Sequence, residues 1–213
     1  GPGLSASLAR KLAADYDLTL TARDIDKLAD LAAETGARTV ALDGSDQAAM
    51  ADLFVDLPGP LRVAVYNPSA RQRGPIAELD PETVRKAVEV TAFGSFLLGQ
   101  QAAKAMAGNE GPHRGTILFT GASAGVNGFP QSAPFAMGKF AQRGLAQSMA
   151  RELHPKGIHV AWINIDGAIA KDRGETPDRL NPDAIAGAYL QVIAQPISTW
   201  SHELTLRPMN EGF

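Results

Sequence analysis

The chain of 213 residues contains no cysteine, which excludes disulfides and thiolate chemistry at once. Histidine is scarce: His113, His154, His159 and His202 are scattered along the chain with no metal-ligand spacing, so no metal site is expected. A surplus of positive charge is also missing. Twenty basic against 23 acidic side chains leave a formal charge of -3, which argues against a general nucleic-acid binder. No apolar stretch is long enough to span a bilayer, and no basic segment followed by an apolar run opens the chain as a signal peptide would. What is present is 45% hydrophobic residues in a length suited to one core. A soluble, cytoplasmic, single-domain protein over residues 1–213 is the expectation these absences leave.

Short β-branched runs alternate with longer helical periods. Leu4, Leu8 and Leu12 share one helical face, with Ala9 and Ala13 beside them. Residues 17–21 read as a strand, residues 24–35 as a helix stopped by Gly36, and residues 39–42 as a short strand. A helix over residues 46–57, capped near Ser45 or Asp46, ends at Pro58-Gly59-Pro60. The strand at 61–66 stops at Asn67-Pro68-Ser69. Asp80 and Pro81 then open a long helix that runs to about Ala107, with a bend near Gly94.

After a polar, glycine-rich loop come a strand at 116–120, a helix at 133–153 and a strongly apolar strand at 158–165. Residues 166–179 have no period and predict a surface loop. Asn181-Pro182 opens a helix to about Ala194, with Ile185, Tyr189 and Ile193 on one face, and a last strand is expected at 203–207. Strands separated by helices of this length predict an α/β fold with a parallel sheet covered on both faces.

Several local features lie in a telling order. Gly1-Pro2-Gly3-Leu4-Ser5-Ala6-Ser7-Leu8-Ala9 is a glycine-rich turn running into a helix. Thr21-Ala22-Arg23 ends the next strand, Asp43 follows another, and Asn67-Pro68-Ser69-Ala70 follows a third. Pro134-Phe135-Ala136-Met137-Gly138-Lys139 lies at the start of the long helix at 133–153. Singly, each has an ordinary reading: a turn, a solvated arginine, an asparagine capping a turn, a solvent-facing lysine. Together, from about Gly3 to Arg207, they resemble the short-chain dehydrogenase/reductase superfamily.

That resemblance implies a Rossmann-like, doubly wound fold and a nicotinamide dinucleotide. Gly3 corresponds to the middle glycine of the family's turn and Ser5 to the last, so Gly3 and Leu4 would border the cofactor. Ala22 stands where an acid would accept from an unphosphorylated ribose. Arg23 beside it suits a 2′-phosphate, which favours NADP over NAD. Asp43 matches an acid beside the adenine, and Asn67 is retained from a segment that borders the cofactor. In the family a strand precedes the glycine turn, so that its end and the helix N-terminus aim amides at the phosphates. Here no strand does, and the expectation is a nucleotide-binding domain incomplete at its N-terminus, with an apolar strand upstream of Gly1.

Members of the usual kind combine an asparagine, a serine, a tyrosine and a lysine. The tyrosine exchanges a proton with the substrate oxygen, and a lysine one helical turn away holds the nicotinamide ribose and lowers the tyrosine's pKa. The matching positions here are Thr91, Ala122, Phe135 and Lys139. A phenyl ring has no exchangeable proton, and an alanine cannot donate to a developing oxyanion. Ser123 neighbours Ala122 and would substitute only if the loop shifted.

Two functional readings follow. The first is an atypical NADP(H)-binding oxidoreductase acting on a small molecule, with the proton drawn from water, the substrate or an acid such as Asp166. The alternative is a nucleotide-binding or structural member of the family without turnover. Specificity is expected from residues 166–179 and from the chain end. The small residues Ala136, Ala141, Gly144 and Ser148 suggest a homodimer or homotetramer through the helix at 133–153, with neither nucleic acid nor membrane as partner.

Overall fold

A computed structural model describes residues 3–172 and 174–212. Along the chain run α1 (Leu4–Leu12), β1 (Thr19–Ala22), α2 (Ala29–Thr35), β2 (Arg38–Ala41), α3 (Gln47–Val55) and β3 (Val63–Tyr66). There follow α4 (Pro81–Val88), α5 (Gly94–Ala107), β4 (Gly115–Thr120), α6 (Ala133–Leu153), β5 (Ile158–Ile165), α7 (Pro182–Ile193) and β6 (Glu203–Leu206). This is the expected α/β class, parallel strands joined by helices. The chain divides into two compact units, one of Gly1–Asp43, Asp166–Gln195 and Leu206–Phe213, the other of Gly44–Ile165 and Pro196–Thr205.

In the first unit, α1 packs against α7. The stripe Leu4, Leu8 and Leu12 is buried, as are Ile185, Tyr189 and Ile193 on α7. Asn181 caps α7 by accepting from the amides of Asp183 and Ala184 at 2.7 and 3.2 Å, and Pro182 occupies the first turn, where no amide is needed. Strands β1 and β2 pair in parallel, Thr19 opposite Arg38.

The single helix expected over residues 24–35 is divided, with a 3-10 turn at Asp26–Leu28 before α2. The carboxylate of Asp24 accepts from the amide of Asp26 at 3.2 Å and pairs with Lys27 at 3.0 Å. A local turn of this kind competes with a regular α-helical start. Gly36 ends α2 at φ 70°, the left-handed conformation that glycine adopts without a steric penalty.

The second unit is built on a four-stranded sheet in the order β3-β4-β5-β6. β3, β4 and β5 run parallel, Val63 opposite Thr116 and Gly115 opposite Ile158. Every residue of β4 and β5 is buried, which accounts for their continuous apolar character. Asp80 caps α4 through the amide of Thr83 at 2.8 Å.

The bend expected near Gly94 is instead a π-helical stretch, Glu89–Phe93, between α4 and α5. The hydroxyl of buried Tyr66 donates to the carbonyl of Val90, within that stretch. A side-chain donor inserted into the backbone ladder is one recognised cause of such a widening. Gly94 makes room for it, since a Cβ there would lie 2.0 Å from the Tyr66 hydroxyl and 2.6 Å from the Gly44 carbonyl.

Where β4 and β5 begin, three of the histidines that are scattered in sequence meet. The ring of His159 stacks on Trp200 at 4.8 Å, and His154 and His113 approach the same indole at 5.2 and 5.3 Å. Among the described residues no group of three histidines or carboxylates is arranged to hold a metal ion. None of the described helices is long and apolar enough to cross a membrane.

Candidate active site

The opposite, C-terminal ends of β3 and β4 carry the polar cluster of the second unit. The π-helical stretch brings Thr91 into the interior, fully buried, where its hydroxyl accepts from the amide of Ala70 at 3.1 Å. Gly138 of α6 packs on it so closely that a Cβ would meet the Thr91 side chain at 2.7 Å. Ser95 donates to the Thr91 carbonyl at 2.6 Å and accepts from Gln142 at 2.8 Å. The side-chain oxygen of Gln142 in turn accepts from Lys139 at 3.2 Å and from the indole of Trp162 at 3.3 Å.

Lys139 is the buried charge of this network. Only 2% of the residue is exposed, and its ammonium donates to the carbonyl of Thr120 at 2.5 Å. A lysine on a surface helix normally keeps its head in water. Here α6 lies along the sheet and turns this position inward. Desolvation, with the nearby charge of Arg71 added, pushes the Lys139 pKa down from 10.5 to about 7.

One turn before Lys139, the ring of Phe135 packs with Ala122 and Ala124 in a small apolar cluster. The Lys139 ammonium lies 6.0 Å from the ring centre and the Arg71 guanidinium 4.5 Å from it. Ser123 is partly exposed beside Ala122, and its carbonyl accepts from the amides of Val126 and Asn127 at 2.9 Å. Thr91, Ala122, Phe135 and Lys139 are thus gathered in one unit from three separated segments, with half-buried Asn67 at the end of β3.

The remaining candidates belong to the first unit. Gly3 caps α1, whose first turn holds no acidic side chain, and a Cβ on Gly3 would meet nothing within 4 Å. Leu4 is buried, whereas Arg23 and Asp43 are exposed just beyond β1 and β2. Gly1 and Pro2 of the glycine-rich turn lie outside the described residues. Asp166 is engaged by the guanidinium of Arg207, whose Nε donates to its carboxylate at 3.0 Å. In this arrangement it serves as an ion-pair acceptor.

Sequence reasoning missed Ser95, Gln142, Trp162 and Arg71. Gln142 gives no signal in the sequence, because a glutamine on a helix is ordinarily solvated. Arg71 has one: Arg71-Gln72-Arg73 directly continues the segment at 67–70 that resembles the family's cofactor border.

A parallel sheet with helices on both faces is a Rossmann-like α/β architecture. The model of the family described as short chain dehydrogenase matches residues 1–172, and the chain belongs to that family. It is 30% identical over 197 residues to an L-2,3-butanediol dehydrogenase of Corynebacterium glutamicum, spanning 81% of this chain and 75% of the relative. A crystal structure of a short-chain dehydrogenase from Rhodopseudomonas palustris is similar at a TM-score of 0.84 and 37% identity, covering 96% of this chain and 93% of that one. A metagenomic short-chain oxidoreductase in complex with NADP is similar at 0.84 and 27% identity, covering 97% and 92%.

Proposed function

We propose that this chain is an atypical NADP(H)-dependent oxidoreductase of the short-chain type, acting on a small molecule. The observation that carries this reading is the convergence of Phe135 and Lys139 with Thr91 and Ala122, with the lysine amine brought near neutrality by burial. When bound, the dinucleotide supplies hydride. The donor set fits it: an α1 N-terminus free of carboxylates suits phosphate, and exposed Arg23 suits a 2′-phosphate. Following the family's positions, Gly3 and Leu4 belong to the phosphate-binding turn, Asp43 lies beside the adenine, Asn67 is in the segment that borders the cofactor, and Lys139 holds the nicotinamide ribose.

On this reading Phe135 stands in the place of the family's tyrosine and exchanges no proton, so the chain needs another acid. A lysine whose pKa is about 7 holds and releases a proton at the amine near neutral pH, which makes Lys139 itself the candidate. Asp166, held by Arg207, is the weaker one. The partner proposed is a second copy of the chain.

A second reading, nucleotide binding without turnover, is favoured by the enclosure of Lys139 between Thr120 and Gln142 and by the lack of any donor at Ala122. Calorimetry separates cofactor binding from catalysis. NADPH is expected to bind on the order of ten- to a hundredfold more tightly than NADH, with the difference reduced by Arg23→Ala. Equal affinities reject the role of Arg23. Tight NADPH binding with no turnover on a broad carbonyl panel decides for the second reading.

A further inference from the structure

Arg71 differs from the other well-placed arginines of the chain. Arg10, Arg85, Arg143 and Arg207 each pair with a carboxylate. The described surroundings of Arg71 supply no such partner. Its guanidinium rests on the Phe135 ring, and the charges that act on it and on Lys139 are themselves cationic: Arg73 on Arg71, and Arg71 on Lys139. Both pKa values are held down, first by desolvation and then by that like charge. Arg71 and Arg73 are exposed and Lys139 is buried behind the Phe135 ring, so the positive charge of this corner faces solvent across an apolar surface.

The wall beside this charge is apolar, made of Ala122, Ala124 and Phe135. It offers a neutral carbonyl compound no hydroxyl to recognise it. The segment carrying Arg71 is also tethered, because the amide of Ala70 donates to Thr91 at 3.1 Å and the amide of Gly74 to the Gln131 carbonyl at 3.1 Å. Gln131 holds the left-handed φ of 58°, an unusual conformation for a residue with a side chain. The stretch from Ala70 to Gly74, which carries Arg71, is thereby fastened at both ends.

We propose that Arg71 is a specificity-determining residue that receives the carboxylate of an oxo- or hydroxy-acid substrate in front of Phe135. A planar guanidinium fork matches a planar carboxylate with two parallel hydrogen bonds. Phosphates are commonly held in nests of backbone amides. On this loop the amides of Ala70 and Gly74 are already committed to Thr91 and Gln131. The inference rests on the oxidoreductase reading for the reaction, but not for the binding of the acid.

The test uses acetoacetate and its methyl ester as probes, titrated into wild-type, Arg71→Gln and Arg71→Lys proteins by calorimetry. The acid is expected to bind about tenfold or more tighter than the ester. Arg71→Gln should erase that preference, Arg71→Lys should keep part of it, and added salt should weaken it. Equal binding of acid and ester, no binding of either, or a preference that survives Arg71→Gln overturns the proposal. So does inorganic phosphate competing for the site more strongly than acetate. Circular dichroism melts of all three proteins identify any loss of binding that is only a loss of fold, and Arg71→Lys then carries the comparison. NADPH titrated into the same samples keeps the two readings apart. Arg71-dependent acid binding without NADPH binding sustains this inference and removes the oxidoreductase reading, while NADPH binding without acid preference does the reverse.

Discussion

Lys139 and Phe135 lie one turn apart on α6, and both are buried for the same reason, the close approach of that helix to β5 and the π-helical stretch. For lysine the cost is electrostatic. Its unfolded pKa of 10.5 exceeds the folded value of about 7, so the unfolded chain binds more protons between those limits. This contribution to stability is present above pH 10.5, declines as pH falls through the window and is lost below about 7. We expect the Lys139 amine to titrate near 7 by heteronuclear NMR, and Arg71→Gln to raise that midpoint by removing the neighbouring charge. A midpoint near 10 would show that water reaches the amine. For phenylalanine the consequence is chemical. General acid–base catalysis contributes roughly 10²–10⁴-fold, so the wild-type protein should reduce simple ketones weakly or not at all. Phe135→Tyr with Ala122→Ser should raise turnover at saturating NADPH, Phe135→Tyr alone should raise it less, and Lys139→Ala should erase most of either gain. Vigorous wild-type activity unchanged by the restored tyrosine would mean that another acid has taken over.

Among the elements, β5 is buried from end to end, and its two ends pose different problems. Near its C-terminal half, Trp162 fills the space left by Gly121 and Gly125, where a Cβ would come within 2.3 and 2.6 Å of the indole. At its start, His159 is fully buried, with Nε2 2.8 Å from the carbonyl of Ser201 and Nδ1 without a hydrogen-bond partner. The charged groups facing it are His154, from the turn after α6, and His113, from the loop before β4. Desolvation, aided by those two, takes its pKa from 6.5 down to about 4 despite the opposing bond to Ser201. A depressed histidine pKa means that the folded state favours the neutral ring. Its stabilising contribution is present above pH 6.5 and is lost as pH falls toward 4, by roughly 3 kcal/mol in all. Carboxylates titrate over part of this window too, so the comparison is with His159→Gln. Urea midpoints should fall more steeply with acid in the wild type than in the variant. Parallel curves would clear His159 of any part in acid sensitivity.

At the scale of the whole molecule, α6 and the segment entering α5 each carry a pair of exposed large apolar side chains. Met137 and Phe140 are 53% and 45% exposed, and the rings of Phe93 and Phe96, 43% and 40% exposed, stack at 6.0 Å. On α6, Ala141, Gly144 and Ser148 continue the Met137–Phe140 face with side chains small enough for another helix to approach. Large exposed phenyl groups beside such a face are characteristic of an interface between protomers. We expect a homodimer or homotetramer by light scattering at micromolar concentration, and Phe140→Glu should shift it toward monomer without lowering the melting temperature of the isolated chain. A wild-type monomer at that concentration would count against the interface.

The order of helices and strands was legible in the sequence because periods of two and 3.6 residues are local properties, and capping by Asp46, Asp80 and Asn181 acts over two to three residues. The bounds of α6 and β5 were readable for the same reason. So was family membership, which depends on the order of short motifs. The tertiary structure alone decided the rest. It turned Lys139 inward, where sequence allowed a solvated surface lysine, and it drew Gln142, Ser95 and Arg71 to the same cluster across intervals that no local pattern spans. It replaced a bend at Gly94 with a π-helical stretch because a tyrosine from a distant strand donates to Val90. It also gathered around Trp200 three histidines that are dispersed in the chain. In each case the deciding quantity was a contact or a desolvation energy between segments far apart in sequence, which residue order constrains only through the completed fold.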